Sequence, residues 1–106
     1  MSEFYDCNIE IVKNALETGN FQAGLKAATM AVSAKPTAEA YIYRIHCLLE
    51  LNQLANLSEE FEKCQEIVNR EPEISEQLAN RFRNLQKNYE TVFNVNKQRS
   101  RARATW

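Results

Sequence analysis

Gly19-Asn20-Phe21-Gln22-Ala23-Gly24-Leu25-Lys26-Ala27-Ala28-Thr29-Met30-Ala31-Val32-Ser33-Ala34-Lys35-Pro36 opens on a turn signal and closes on a helix breaker. Between them Gly24, Ala27, Ala28 and Ala31 recur at spacings of three and four, a helix face built from small residues. Gly inside a helix costs about 1 kcal/mol relative to Ala. Its use at Gly24 therefore points to a neighbouring backbone that comes close. That neighbour is the preceding segment, folded back through Gly19-Asn20 to make an antiparallel helical hairpin.

Outward from this stretch, the chain reads as five helices. The first spans about Tyr5 to Thr18, with Ile11, Val12, Ala15 and Leu16 as its apolar stripe and Phe4, Asn8 and Ile9 beside it. The second runs from about Phe21 to Ala34 and ends before Pro36. Thr37 is a good N-cap for a third helix, Ala38 to about Asn52, with Tyr41, Ile45, Leu48 and Leu49 facing in. Asn52-Gln53 and Asn56 form a polar joint. Ser58 then reads as the cap of a fourth helix that buries Phe61, Cys64, Ile67 and Val68 and stops at Pro72. In the fifth, Glu73 to Asn94, the residues Ile74, Leu78, Phe82, Leu85, Tyr89 and Val92 recur at intervals of 4, 4, 3, 4 and 3. Residues 95–106 read as a flexible basic tail behind a helical domain of residues 1–94.

The composition agrees with an all-α fold. Only 2 Gly and 2 Pro in 106 residues leave too few turns for a β fold. No apolar run reaches the roughly 18 residues of a membrane span, and no signal peptide is visible. Three cysteines, Cys7, Cys47 and Cys64, lack disulfide-framework or zinc spacing. They read as free thiols, small core hydrophobes in a reducing, cytoplasmic setting.

Helix, turn, helix and proline occur twice, with 36 residues between Pro36 and Pro72, and repeats of this length indicate stacked hairpins. The arrangement resembles the tetratricopeptide repeat (TPR) superfamily, with its pattern W-x2-L-G-x2-Y…A-x3-F…P. Gly24 and Ala28 fall on the A and F positions, Ile11-Val12 on the L-G pair, and Gly19-Asn20-Phe21 on the family's turn. Asn8 and Ala15 replace the Trp and Tyr. In the second unit Tyr41 matches the Trp position, Ile45 falls on the Gly and Leu48 matches the Tyr. Glu60, counted back from Pro72, does not match the small residue. The resemblance implies a short right-handed TPR-like array, with repeats at about 5–36 and 38–72 and a capping helix at 73–94.

It also implies a concave groove lined by the first helix of each pair: Ile9, Lys13 and Leu16, then Ile42, His46 and Leu49, then Leu78, Phe82 and Leu85. Read this way the groove is mostly apolar and suits a partner's amphipathic helix or peptide, a second copy, or an element of the chain itself. Phe82→Asp or Leu49→Asp would then abolish binding and spare helical content. Ile9 and Lys13 stand where the co-chaperone members' clamp would want Lys and Asn, so an acidic chaperone tail is not the expected ligand. The expected function is a non-enzymatic interaction module: adaptor, assembly factor or small chaperone.

Chemistry is sparse. His46 is the sole histidine, no Gly-rich phosphate loop is present, and no cofactor or metal site is expected. The net charge of −1 conceals two blocks. Glu50–Glu76 holds eight acids against Lys63 and Arg70. Arg81–Arg103 holds Arg81, Arg83, Lys87, Lys97, Arg99, Arg101 and Arg103 against Glu90. The basic block and Trp106 support an alternative, a nucleic-acid-associated subunit.

Overall fold

In the computed structural model, which describes residues 3–71 and 73–104 with side chains as far as residue 92, the chain forms five α-helices. They are α1 (Glu3–Thr18), α2 (Phe21–Ala34), α3 (Ala38–Glu50), α4 (Leu57–Arg70) and α5 (Glu76–Ala104). α1–α2 and α3–α4 are antiparallel hairpins, and α5 packs on α3 beside the second. No helix among the described residues is long and apolar enough to cross a membrane.

Both hairpins turn by the same device. Gly19 (φ 77°) follows α1, and the Asn20 amide donates to the Ala15 carbonyl at 2.9 Å. Asn52 (φ 57°) follows α3; its amide donates to the Leu49 carbonyl and that of Gln53 to the Leu48 carbonyl. A left-handed residue that turns the chain back over the last carbonyls is the Schellman motif, and Gly and Asn tolerate it best. The second connection is longer, Leu51–Asn56 against Gly19-Asn20. α4 also starts two residues earlier than Ser58 capping implies. Leu57 is fully buried and anchors the first turn, Asn56 occupies the cap position without a side-chain bond, and Ser58 sits inside the helix.

Thr37 caps α3 as its type predicts, its hydroxyl oxygen accepting from the Ala40 amide at 3.2 Å. Tyr5 of α1 bonds the same hydroxyl at 2.5 Å, and the Glu71 carboxylate, just past α4, accepts from the Ala38 amide at 3.2 Å. The entrance to α3 thereby ties both hairpins together. Ser75 caps α5, accepting from the Leu78 amide at 3.2 Å, so that helix starts later than Glu73. Its backbone stays helical through Lys97, Arg99, Arg101 and Arg103, the stretch read as a tail. No Gly or Pro follows Pro72 to stop it. The side chains of those four residues, together with Pro72 and Trp106, lie outside the described residues.

α3 is the shared element. Ala40, Tyr43 and Cys47 join Tyr5, Ile9, Val12, Ala27, Ala28 and Ala31 in one core. Ala38, Tyr41, Ile42 and Ile45 join Leu57, Phe61, Cys64, Ile67, Phe82 and Leu85 in the other. The small face of α2 is buried as its composition demands. A Cβ placed on Gly24 would lie 2.9 Å from Cys47 Sγ and 3.2 Å from Ala15 Cβ.

A shift of 36 residues superposes buried positions: Tyr5 and Tyr41, Ile9 and Ile45, Ala28 and Cys64, Ala31 and Ile67. Glu60 keeps this register. It occupies the counterpart of Gly24 and is itself buried, while Arg44 occupies the counterpart of buried Asn8. Arg44 Nε and Glu60 Oε1 lie 3.0 Å apart. The N–H is not aimed at the oxygen, and neither atom has another partner, so the contact is charge attraction rather than a directed hydrogen bond. Where the first unit has a small residue, the second has an ion pair.

The apolar stripe of α1 differs from the one expected. Tyr5, Asn8, Ile9, Val12 and Ala15 face in, and Ile11 is 49% exposed. Asn8 meets its burial locally, its amide donating to the Phe4 carbonyl at 2.8 Å. Of the cysteines, Cys47 and Cys64 are core residues, and burial pushes their thiols up to about 11 and about 12. Cys7 is exposed, contrary to a core role.

Candidate functional site

α1, α3 and α5 lie side by side and leave between them an open cleft of about 980 Å³. Every residue lining it belongs to these three helices or to Ser75 at the start of α5. Leu16, Leu49 and Leu78, each half-buried, and the buried Leu85 form an apolar floor. Lys13 and Glu17 of α1 stand on one wall, Gln77, Asn80, Asn84 and Asn88 of α5 on the other.

A chain of polar contacts crosses the cleft from helix to helix. The Arg81 Nη1 donates to His46 Nδ1 at 3.1 Å, and its guanidinium stacks 5.4 Å from the centroid of the Tyr43 ring. The Tyr43 hydroxyl donates to Glu39 Oε2 at 3.1 Å, and Glu39 lies 4.0 Å from Lys13 Nζ. His46 Nε2 points to Glu50 at 3.8 Å, and its ring stacks on Phe21 of α2. An arginine cannot give up its proton, so His46 Nδ1 must accept, which makes the imidazole neutral with its proton on Nε2 toward Glu50. Burial lowers the His46 pKa first, and the Arg81 charge lowers it further, against a smaller opposing effect of Glu50. Burial and then Glu39 raise the Tyr43 pKa, so its hydroxyl stays a donor. At neutral pH the network is a fixed set of donors and acceptors, suited to holding polar groups.

This geometry predicts a pH effect with a definite sign. A base whose folded pKa is depressed binds more protons when unfolded. The stability tied to His46 is therefore full above the ordinary value of 6.5 and is lost as the pH falls through the lower folded value. The single imidazole signal in an NMR titration should move below 6.5 in midpoint, and Arg81→Leu should raise that midpoint. An unshifted midpoint in the native protein would remove His46 from the network.

Six of the nine residues expected in a groove line the cleft: Lys13, Leu16, His46, Leu49, Leu78 and Leu85. Ile9, Ile42 and Phe82 do not, being 6%, 0% and 3% exposed within the two cores. α5 turns Leu78, Phe82, Leu85 and Tyr89 toward α3 and α4 and presents its asparagines to the cleft. The walls are consequently polar, where the sequence reading expected an apolar groove. Tyr43 and the three asparagines were missed, and Arg81 was read as part of a basic patch rather than of the groove. The i, i+4, i+8 spacing of Asn80, Asn84 and Asn88 was a visible signal of a shared polar face. Of the basic patch, Arg81 belongs to the cleft, Arg83 donates to the Asn80 side-chain oxygen, and Lys87 is exposed.

Among the described residues no group of three or more His, Cys, Asp or Glu is placed to hold a metal ion. Scans of this chain against protein-family models, curated proteins and solved structures return no significant match.

Proposed function

We propose that this chain is a non-enzymatic interaction module of TPR-like build, an adaptor, assembly factor or small chaperone, that holds a partner's peptide segment between α1, α3 and α5. The observation that carries this reading is a single cleft lined by the first helix of each hairpin and by α5, which stands where a third first helix would stand. The 36-residue recurrence of buried positions adds support for the repeat.

The cleft volume falls within the roughly 300–1,000 Å³ of ligand sites. Its shape of chemistry describes the ligand. The leucine floor accepts one or two apolar side chains, and the Asn, Arg and Glu walls meet polar groups. A helix with a long uninterrupted apolar stripe would strip water from Arg81, Asn84 and Asn88 without replacing their hydrogen bonds. A short segment with few apolar anchors and polar flanks fits better. Glu17 and Glu50, both exposed at the α1–α3 end, suit a basic residue on that segment.

Peptides selected from a display library against the intact chain test this. Leu49 is half-buried at the cleft, so Leu49→Asp should weaken selected peptides at least tenfold with the far-UV circular dichroism unchanged. Binding should also weaken only modestly between low and moderate salt, as the exposed Glu17 and Glu50 contacts are screened. Peptides that bind Leu49→Asp as well as the native chain would overturn the cleft reading. Binding of oligonucleotides that collapses with salt and tracks Lys87 would favour the nucleic-acid-associated alternative.

A further inference from the structure

His46 sits at the centre of the contacts that cross the cleft. Its Nδ1 accepts from Arg81 Nη1 of α5 at 3.1 Å, and its Nε2 faces Glu50 Oε1, one turn on in α3, at 3.8 Å. Phe21 of α2 stacks on the ring and brings no charge. Tyr43 of α3 carries the Arg81 guanidinium over its own ring. Lys13 and Glu17 stand across the cleft on α1, and Lys13 is turned to Glu10 and Glu39. The charges that act on the imidazole are therefore Arg81 at one nitrogen and Glu50 at the other.

Those two contacts respond oppositely to a proton. A neutral imidazole offers one acceptor and one donor, whereas an imidazolium offers two donors. With Nδ1 protonated, two N–H groups and two positive charges meet at 3.1 Å with no acceptor between them. On the other side the same proton turns a contact too long for a hydrogen bond into an ion pair. The Glu50 side chain is 48% exposed and free to close that gap. Arg81, half-buried on the cleft wall, has room to leave, because Leu78, Phe82 and Leu85 hold α5 in the core without it.

We infer that protonating His46 exchanges its partner Arg81 for Glu50 and lowers the cleft's hold on a basic ligand segment; the second half rests on the cleft reading above. Above the His46 midpoint Arg81 is tied and Glu50 is open to the ligand. Below it Glu50 is engaged by His46 and the Arg81 charge is released into the cleft. A Lys or Arg of the ligand then loses an acid and gains a repelling neighbour. Ligand and proton compete, each weakening the other by the same factor.

NMR of the intact chain tests the exchange without a ligand. The guanidinium N–H signals of Arg81 should be resolved above the His46 midpoint and should collapse into solvent exchange below it, with the same midpoint. A guanidinium that follows another midpoint, or none, overturns the exchange. Peptides selected from the display library at neutral pH test its effect. For those carrying Lys or Arg, affinity should fall at least tenfold as the pH drops through the His46 midpoint. Bound peptide should move that midpoint down by about one pH unit for each tenfold. In His46→Gln, whose amide takes up no proton, the ratio of affinities across the same pH interval should stay within about twofold, whatever the affinity itself. A ratio that persists in His46→Gln belongs to the carboxylates of Glu17 and Glu50 and overturns the gating, as does native binding that ignores the His46 midpoint. If Arg81 is released on cue but no peptide binds at any pH, the exchange stands, and the cleft reading falls together with the gating.

Discussion

Gly24→Val is expected to destabilise the protein by about 3–5 kcal/mol and to lower Tm by about 15–25 °C in a domain of this size. The cause is spatial. A Cβ at position 24 already meets Cys47 Sγ at 2.9 Å, Ala15 Cβ at 3.2 Å and Val12 Cγ2 at 3.6 Å. Valine adds two methyl groups to a site where all three neighbours are buried and cannot swing out. Gly24→Ala separates the two opposing effects. Alanine gains about 1 kcal/mol of helix propensity and loses about 1–3 kcal/mol to overpacking, so the net change should be a smaller destabilisation. Cys47→Ala removes the nearest atom. In the double variant Gly24→Ala with Cys47→Ala, the two costs should therefore sum to less than they do separately. Thermal and urea unfolding measure all three. A Gly24→Val protein that melts within a few degrees of the native chain would show that the hairpin does not close on Gly24.

The second large effect is at Phe82. Its ring is 3% exposed and lies 6.0 Å from that of Phe61, in the core that joins α3, α4 and α5. Truncating a buried Phe costs about 3–5 kcal/mol, and a carboxylate in its place adds an unpaired charge. Phe82→Asp should release α5 from the body and, with stabilities of about 5–15 kcal/mol for natural domains, leave much of the protein unfolded at 37 °C. Far-UV circular dichroism and amide exchange along α5 read the outcome. This replaces the expectation that Phe82→Asp would spare helical content. That expectation passes to Leu49→Asp alone, since Leu49 is half-buried and its replacement exposes little new surface. Near-native stability in Phe82→Asp would mean that α5 is held elsewhere.

The legibility of the sequence followed from what each residue needs. Gly19, Asn52 and Thr37 satisfy backbone groups within a few residues of themselves, so the turns and the α3 cap could be read locally. The stripe at Leu78, Phe82, Leu85 and Tyr89 was equally plain, because α5 packs from one side. α3 packs from two sides. Its inward residues Ala40, Tyr43 and Cys47 face one hairpin, and Ala38, Tyr41, Ile42 and Ile45 the other, so its periodicity does not single out a groove face. The TPR register set Ile42 in the groove, whereas the residue that lines the cleft is Tyr43, one residue on and 100° round the helix. On α1 two apolar stripes compete, one through Ile9 and Val12 and one through Phe4 and Ile11. Only the neighbouring small face of α2 decides between them. Glu60 was unreadable for a different reason: its burial depends on Arg44, sixteen residues away on another helix.

By itself the sequence determined the all-α class, the five helices, the two hairpin turns and the close approach of α1 to α2 at Gly24. These depend on dihedral preferences, capping and side-chain size, which act over a few residues. The tertiary structure alone decided which sides of α1 and α3 face the cleft, that its walls are polar, that Arg81 joins His46 across it, and that Phe4, Ile11 and Met30 stay exposed. Those outcomes depend on the rotation of each helix about its own axis. Packing against neighbours distant in sequence sets that rotation, and a turn of about 100° exchanges a core residue for a surface one.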